Sequence, residues 1–139
     1  MRIRTYRADD AQALVELWAA CGLIRPWNDP RRDLERKLAD SPRLLLVAEH
    51  EGELVGSVMA GYDGHRGWIN YLAVHPSRQG SGLGRRLMAL AEERLEALGC
   101  PKVNLQIRDD NAAARGFYEA IGYRQDPVVS YGKRLISDE

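Results

Sequence analysis

The sequence contains no long apolar run: nothing approaches the ~20 uncharged residues of a bilayer span, and the start, Met1-Arg-Ile-Arg-Thr-Tyr6, has no signal-peptide-like apolar stretch. A cytoplasmic protein without a membrane partner is expected. Charge of one sign is lacking too. Lys plus Arg and Asp plus Glu are equal at 20 each, so no overall field recruits nucleic acid, and any anion site must be built locally. Cysteine is scarce. Cys21 and Cys100 are too few for a disulfide framework and have no CxxC spacing, which suits a reducing compartment, and neither has a histidine near in sequence to activate it as a nucleophile. No His/Cys/Asp cluster has metal-ligand spacing, so no metal is implied. No repeat, low-complexity tract or Pro/Gly/Ser linker interrupts the 139 residues, a length that suits one domain spanning 1–139.

The apolar pattern supplies the elements. Residues 2 to 7 alternate as a short strand. Asp9 or Asp10 caps a helix with Leu14, Leu17, Trp18 and Cys21 on one face, closed by Gly22. Asp29-Pro30 reads as an N-cap followed by proline at the first helical position, opening a second helix with Leu34 and Leu38 inward, and Pro42 prevents its continuation. Leu44–Glu49 and Leu54–Tyr62 are aliphatic strands whose linker contains Gly52, where a tight hairpin needs positive φ. A third strand, Trp68–Val74, stops at His75-Pro76. Leu83, Leu87, Leu90, Ala91, Leu95 and Leu98 mark the strongest helix, ended by Gly99 and Pro101. Val103, Leu105 and Ile107 alternate as a strand. Asp110 or Asn111 then caps a helix reaching Ile121, Gly122 ends it, and Tyr123 to Ile136 reads as one broken or two short strands. The order β-α-α-β-β-β-α-β-α-β describes an α+β (mixed α/β) domain with a largely antiparallel sheet.

Between the third of these aliphatic strands and the long helix lies Arg78-Gln-Gly-Ser-Gly-Leu-Gly-Arg-Arg86, with glycines at alternate positions 80, 82 and 84. Without a β-carbon the backbone can turn several N–H groups into one concavity, and a helix start adds unsatisfied donors and a positive dipole end. A pyrophosphate fits such a place, with Arg78, Arg85 and Arg86 adding local charge. Rival nucleotide motifs fail on spacing: GxxxxGK[ST] is absent, and Arg85 and Leu87 stand where a third glycine would complete GxGxxG.

Leu72-Ala-Val-His-Pro76 followed by Gln79-Gly-Ser-Gly-Leu-Gly84 resembles the core motif of the GNAT acetyltransferases, Arg/Gln-x-x-Gly-x-Gly/Ala. Asn111-Ala-Ala-Ala-Arg-Gly-Phe-Tyr-Glu-Ala-Ile-Gly-Tyr123 is similar to the family's second signature, and Arg25-Pro-Trp-Asn-Asp-Pro30 with Gly61–Gly67 resembles its YpeA-like bacterial branch. The resemblance implies a GNAT fold: a mostly antiparallel twisted sheet of about six or seven strands flanked by about four helices. It also implies acetyl-CoA as acetyl donor. Main-chain groups of Leu72, Ala73 and Val74, at the end of the fourth strand of the whole chain, would pair with the pantetheine arm. The amides of Gln79, Gly80, Ser81, Gly82, Leu83, Gly84 and Arg85 would hold the pyrophosphate. Asn111 matches the asparagine that helps hold the cofactor arm, and Tyr118 the usual general acid. These two are seven positions apart, on one helical face.

The chemistry fits an amine acceptor, small molecule or peptide. A phenol of reference pKa about 10 can supply a proton or hydrogen bond to a departing thiol of about 8.5, while an ammonium of about 10.4 must lose a proton before it attacks. Main-chain donors of the fourth strand would polarise the thioester carbonyl. Some relatives place a glutamate base in the fifth strand where this chain has Gln106. Glu49, Asp63 and His65 remain candidate bases, beside a water chain; His65 also reads as an ordinary turn residue. Arg25, Trp27 and Asn28 are candidates for an acceptor pocket, with Arg25 suited to a carboxylate. Tyr118 has a bland alternative as the core face of its helix, and Asn111 as a cap. The expected function is N-acetyl transfer to an amine by direct attack in a ternary complex. The alternative is a non-catalytic acyl-CoA-binding sensor, and a homodimer covering the open sheet edge and the loop around Trp27 is compatible with the family.

Overall fold

Leu45, Leu46, Val47 and Ala48 are four consecutive residues with no solvent exposure, which requires a strand covered on both faces. The computed structural model, which describes residues 1–139, supplies that cover. The chain divides into two compact units, Met1–Leu105 with Asp138–Glu139, and Gln106–Ser137. The first unit contains β1 (Arg2–Thr5), α1 (Ala11–Ala20), α2 (Pro30–Asp40), β2 (Leu45–His50), β3 (Glu53–Tyr62), β4 (Gly67–Val74), α3 (Leu83–Ala97) and β5 (Val103–Leu105). The sheet order is β1-β2-β3-β4-β5, antiparallel through β4 and parallel between β4 and β5. Tyr6, Leu14, Leu17, Trp18 and Leu34 cluster with Leu45, Val47 and Ala73 on one face. α3 covers the other face closely: a β-carbon on Gly56 of β3 would lie 3.0 Å from the side chains of Leu83 and Leu87.

Local chemistry sets the boundaries. The Asp29 side chain accepts from the amides of Arg31 and Arg32, with Pro30 at the first helical position of α2. Glu51 (φ 53°) and Gly52 (φ 80°) both adopt the left-handed backbone of a type I′ hairpin. At the end of α3, Gly99 N–H donates to Glu96 O and Cys100 N–H to Leu95 O, a Schellman closure.

Three expectations need correction. Leu38 is 38% exposed, and Lys37 is buried in its place; both positions flank the inward face set by Leu34, and the ammonium finds acceptors in Ala60 O and Ser41 Oγ, although burial lowers its pKa. β5 ends at Leu105, before Ile107. The tail after Tyr123 contains no strand, so the sheet has five strands instead of six or seven. Pro127 has no donor, Val128 N–H turns back to Asp126 O, and Val128, Val129, Tyr131 and Leu135 are 74–93% exposed, so no face of this segment is buried to stabilise a ladder.

Arg4 of β1 donates to both oxygens of Asp10 (2.8 and 2.9 Å) and to Glu49 Oε2 (2.9 Å), with the Arg4 and Asp10 side chains 8% and 10% exposed. Arg4→Ala therefore leaves two carboxylates without their cation and is expected to lower unfolding free energy by about 3 kcal/mol in a urea titration. Arg4 holds the Asp10 carboxyl below its usual range. This stabilisation is present above the unfolded value of about 3.9 and is lost as pH falls through the lowered folded value, so Arg4→Ala should also flatten the acid limb of stability against pH.

Candidate active site

β4 changes character along its length. It pairs with β5 only from Gly67↔Val103 to Ile69↔Leu105, and from Asn70 to Val74 no strand lies on that side. Main-chain groups there are open to an extended partner. On its other side the register with β3 shifts between Ser57↔Ala73 and Met59↔Asn70, so Tyr71 and Leu72 together stand opposite Val58. This is a β-bulge, and Tyr71 sits in it at φ 52°. The bulge interrupts the alternation of side chains immediately before Leu72, Ala73 and Val74.

After β4 the chain turns sharply. His75 caps a short 3-10 turn, Pro76–Arg78, accepting at Nδ1 from Ser77 N–H. Gln79 donates from Nε2 to Val74 O (3.4 Å). Gly80 (φ 80°) and Gly82 (φ 84°) then adopt left-handed backbone on either side of Ser81, and Gly82 is the N-cap of α3. Gly84 is already helical, the second residue of α3, so the unusual backbone belongs to the first two glycines alone. Leu83 is buried at 2% exposure, which leaves only its N–H to serve a ligand.

The start of α3, like that of α1, has no side-chain cap, but its N-cap position is a left-handed glycine, Gly82, instead of an aspartate. Asp29 caps α2, Asn111 caps α4 (Ala112–Ala120), and Asp10 stands at the N-cap of α1. α3 has neither a side-chain cap nor an acidic residue in its first turn. The first donors of a helix have no intrahelical acceptor, so the amides of Leu83, Gly84 and Arg85 are arranged for an external anion, beside Arg78, Arg85 and Arg86. A pyrophosphate fits this donor set.

In the second unit, the Asn111 side chain accepts from Ala114 N–H at 3.0 Å, realising the capping role. Tyr118 lies on the apolar side of α4, edge-on to Phe117 (5.1 Å) and to Tyr123 (5.7 Å). Tyr123 reaches it through another Schellman closure: Gly122 (φ 104°) donates to Glu119 O and Tyr123 N–H to Tyr118 O. Burial pushes the Tyr118 phenol up to about 12, so it keeps its proton at neutral pH.

The candidate bases lie apart from the cradle. Glu49 is engaged by Arg4 at the β1–β2 edge. Asp63 accepts from the amides of His65 and Arg66, both at 2.8 Å, and these hold its carboxyl below the usual range, Arg66 most strongly. Asp63 and His65 belong to the turn before Gly67, about 16 Å along β4 from Leu72 at the ordinary strand rise. The acceptor candidates belong to the α1–α2 connection. The Arg25 guanidinium folds back on Gly22 O (2.7 Å) and Ile24 O (3.3 Å) in the loop that follows α1. Trp27 is 41% exposed, and Asn28 N–H donates to Arg25 O. The Cys21 thiol, raised by burial, donates to Val74 O (3.3 Å). Sequence reasoning overlooked Tyr71 and Asp33, whose hydroxyl and carboxylate meet at 2.6 Å; 38 residues separate them and no local signal joins them.

A strand with an open main-chain edge that runs into an uncapped, glycine-shaped helix start offers room for an extended arm and donors suited to a pyrophosphate, the two parts of a coenzyme A thioester. The chain belongs to the Acetyltransferase (GNAT) family, whose profile matches residues 11–123, a span that includes parts of both units, and acetyl-CoA is accordingly its cosubstrate. It is 52% identical to an acetyltransferase of Pectobacterium atrosepticum over 138 residues, covering 99% of this chain and 98% of that protein. Another relative, an acetyltransferase of Sodalis glossinidius, is 52% identical over 140 residues, covering 100% and 99%. Among solved structures, an aminoglycoside 6′-N-acetyltransferase of Acinetobacter haemolyticus shares the fold with a TM-score of 0.79 at 18% identity, over 99% of this chain and 100% of the other. The ribosomal-protein-S18-alanine N-acetyltransferase of Escherichia coli does so with a TM-score of 0.78 at 21% identity, over 90% and 78%.

Proposed function

We propose that this acetyltransferase moves the acetyl group of acetyl-CoA to a primary amine of a small molecule or peptide, by direct attack while donor and acceptor are both bound, with residues 1–139 acting as one domain. The observation that carries this reading is the start of α3: two left-handed glycines, no side-chain cap and no acid. Acetyl-CoA supplies an acetyl group activated as a thioester. In this reading the amides from Gln79 to Arg85 bind the pyrophosphate, the open edge of Leu72, Ala73 and Val74 orients the arm, and Asn111 assists. Tyr118 holds a proton beside the sulfur. The carboxylates of Glu49 and Asp63 already have strong donors, so water is the favoured route for the acceptor's proton, with His65 next. The neighbours' acceptors, an aminoglycoside and a protein alanine, favour an amine, and Trp27 and Asn28 are the residues proposed to meet it. A cytoplasmic location is part of the same proposal; no helix is long and apolar enough to cross a membrane.

One observation favours a second reading. Gln106, where some related enzymes carry a glutamate, cannot accept a proton at neutral pH, and its amide is engaged with Ser130 Oγ. A non-catalytic acyl-CoA sensor would need no base. Thiol release from acetyl-CoA, measured across polyamines, aminoglycosides and peptides with free N-termini, separates the readings. Amine-dependent release above the no-amine rate is expected of the enzyme. Tight binding of acetyl-CoA with no release for any amine would favour the sensor.

A further inference from the structure

We propose that Asp33 of α2 is a positioning residue for the acetyl-donor strand: it holds the Tyr71 hydroxyl and so fixes the β4 bulge, while Arg36 and Asp138 fix Asp33. The proposal rests on reading Leu72–Val74 as the segment that orients the cofactor arm.

A bulky residue at φ 52° is strained and persists only where its surroundings determine it. Tyr71 is held at three points. Its ring stacks on Trp18 at 3.8 Å with planes 11° apart. Its carbonyl accepts from Ser57 Oγ at 2.9 Å, and Ser57 Oγ in turn accepts from Trp18 Nε1 at 2.9 Å. Its hydroxyl donates to Asp33 Oδ2 at 2.6 Å. Trp18 and Ser57 are fully buried. Helices α1 and α2 and strand β3 therefore all bear on one residue, directly before the segment assigned to the cofactor arm.

The chain of contacts continues beyond Asp33. Arg36 Nη1 donates to Asp33 Oδ1 at 3.1 Å, and Arg36 Nη2 to Asp138 Oδ1 at 2.6 Å. Asp138 also accepts from Asp29 N–H at 2.9 Å, at the N-cap of α2, and its side chain has no solvent exposure. Arg36 is the main cause that holds its carboxyl at about 2, so Asp138 is ionised across the working range. The penultimate residue thus locks the first turns of α2, and α2 locks the bulge. None of these side chains belongs to the glycine cradle, so their influence on the cofactor passes through Tyr71.

The test compares Asp33→Ala, Tyr71→Phe, Asp33→Asn and the Asp33→Ala/Tyr71→Phe pair in the full chain. Two quantities are read: calorimetric Kd for acetyl-CoA, and hydrogen exchange of the Leu72–Val74 amides in the free protein. Asp33→Ala and Tyr71→Phe are each expected to raise Kd about fivefold to thirtyfold and to speed exchange at Leu72–Val74 relative to Leu45–Ala48. The pair should be no worse than the stronger single change. Asp33→Asn, which keeps an oxygen acceptor, should restore Kd to within about twofold. Leu34→Ala serves as control, because a cavity under α2 lowers stability without cutting the relay. Unchanged exchange in Asp33→Ala and Tyr71→Phe overturns the clamp. Faster exchange with wild-type Kd overturns its role in positioning the cofactor. If the unaltered chain fails to bind acetyl-CoA, the reading of β4 falls instead, while exchange still decides the clamp.

Discussion

Tyr118→Phe is expected to lower kcat about tenfold to a hundredfold and to leave the Kd for acetyl-CoA unchanged. General acids contribute about 10²–10⁴-fold, and the effect falls at or below the low end of that range because burial has pushed this phenol up to about 12. Complete transfer from such a phenol to a thiolate of reference pKa about 8.5 is uphill by about 5 kcal/mol. Donation of a hydrogen bond to the sulfur is not, and one to a charged group is worth about 1.5–3 kcal/mol. On the proposed reading the hydroxyl acts mainly as a hydrogen-bond donor. Steady-state kinetics with the best amine found, alongside calorimetry, check this, and equal losses in kcat and cofactor binding would assign Tyr118 to the fold of α4 instead. The same shift gives a pH signature. The folded value lies above the unfolded value of about 10, so the phenol's contribution to stability is full below pH 10 and is lost as pH rises through about 12. Tyr118→Phe should remove that alkaline loss.

The double variant Gly80→Ala/Gly82→Ala is expected to cost about 2–4 kcal/mol in total, divided between acetyl-CoA affinity and folding stability. A β-carbon at either position would meet no atom within 4 Å, so no clash is involved. The cost is conformational, about 1–2 kcal/mol for each L-residue held at φ near 80°. Two such residues carry about 2–4 kcal/mol, equivalent to roughly 30-fold to 1,000-fold. The loop can keep its shape, in which case the strain appears as lost stability. It can also relax to negative φ, which turns the amides out of the cradle and raises Kd. Calorimetry together with urea unfolding measures both shares, and a wild-type Kd with wild-type stability would show that the positive φ values are not required.

The turns and helix caps were legible in the sequence because their determinants are local. Gly52, Gly99 and Gly122 mark turns within a few residues of the groups they close, and Asp29 and Asn111 cap the helices that directly follow them. The glycine loop belongs to the same class: strand, glycines and helix are contiguous. What stayed hidden depends on distant partners. Nothing near Tyr71 in sequence announces a left-handed residue, since Trp18, Asp33 and Ser57 come from three other elements. Glu49 read as a free carboxylate until folding brought Arg4 to it across the β1–β2 pairing. The bond from Arg25 to Gly22 O in the loop after α1 has no signature in the sequence either. Lys37 and Leu38 could not be ranked by helical period, because the acceptor that decides between them is Ala60 O on β3. The tail has an apolar pattern fit for strands, yet a strand also needs a partner and a buried face, and neither can be read from the segment itself.

On the proposed reading, the start of α3 and the open edge of β4 bind acetyl-CoA. Titration of the purified chain with acetyl-CoA in a calorimeter, with ATP and NAD as controls, tests it most directly. Saturable micromolar binding to acetyl-CoA and CoA, much weaker for ATP and NAD, is the predicted result. No binding to acetyl-CoA under conditions where the chain is folded would contradict the enzyme and sensor readings alike.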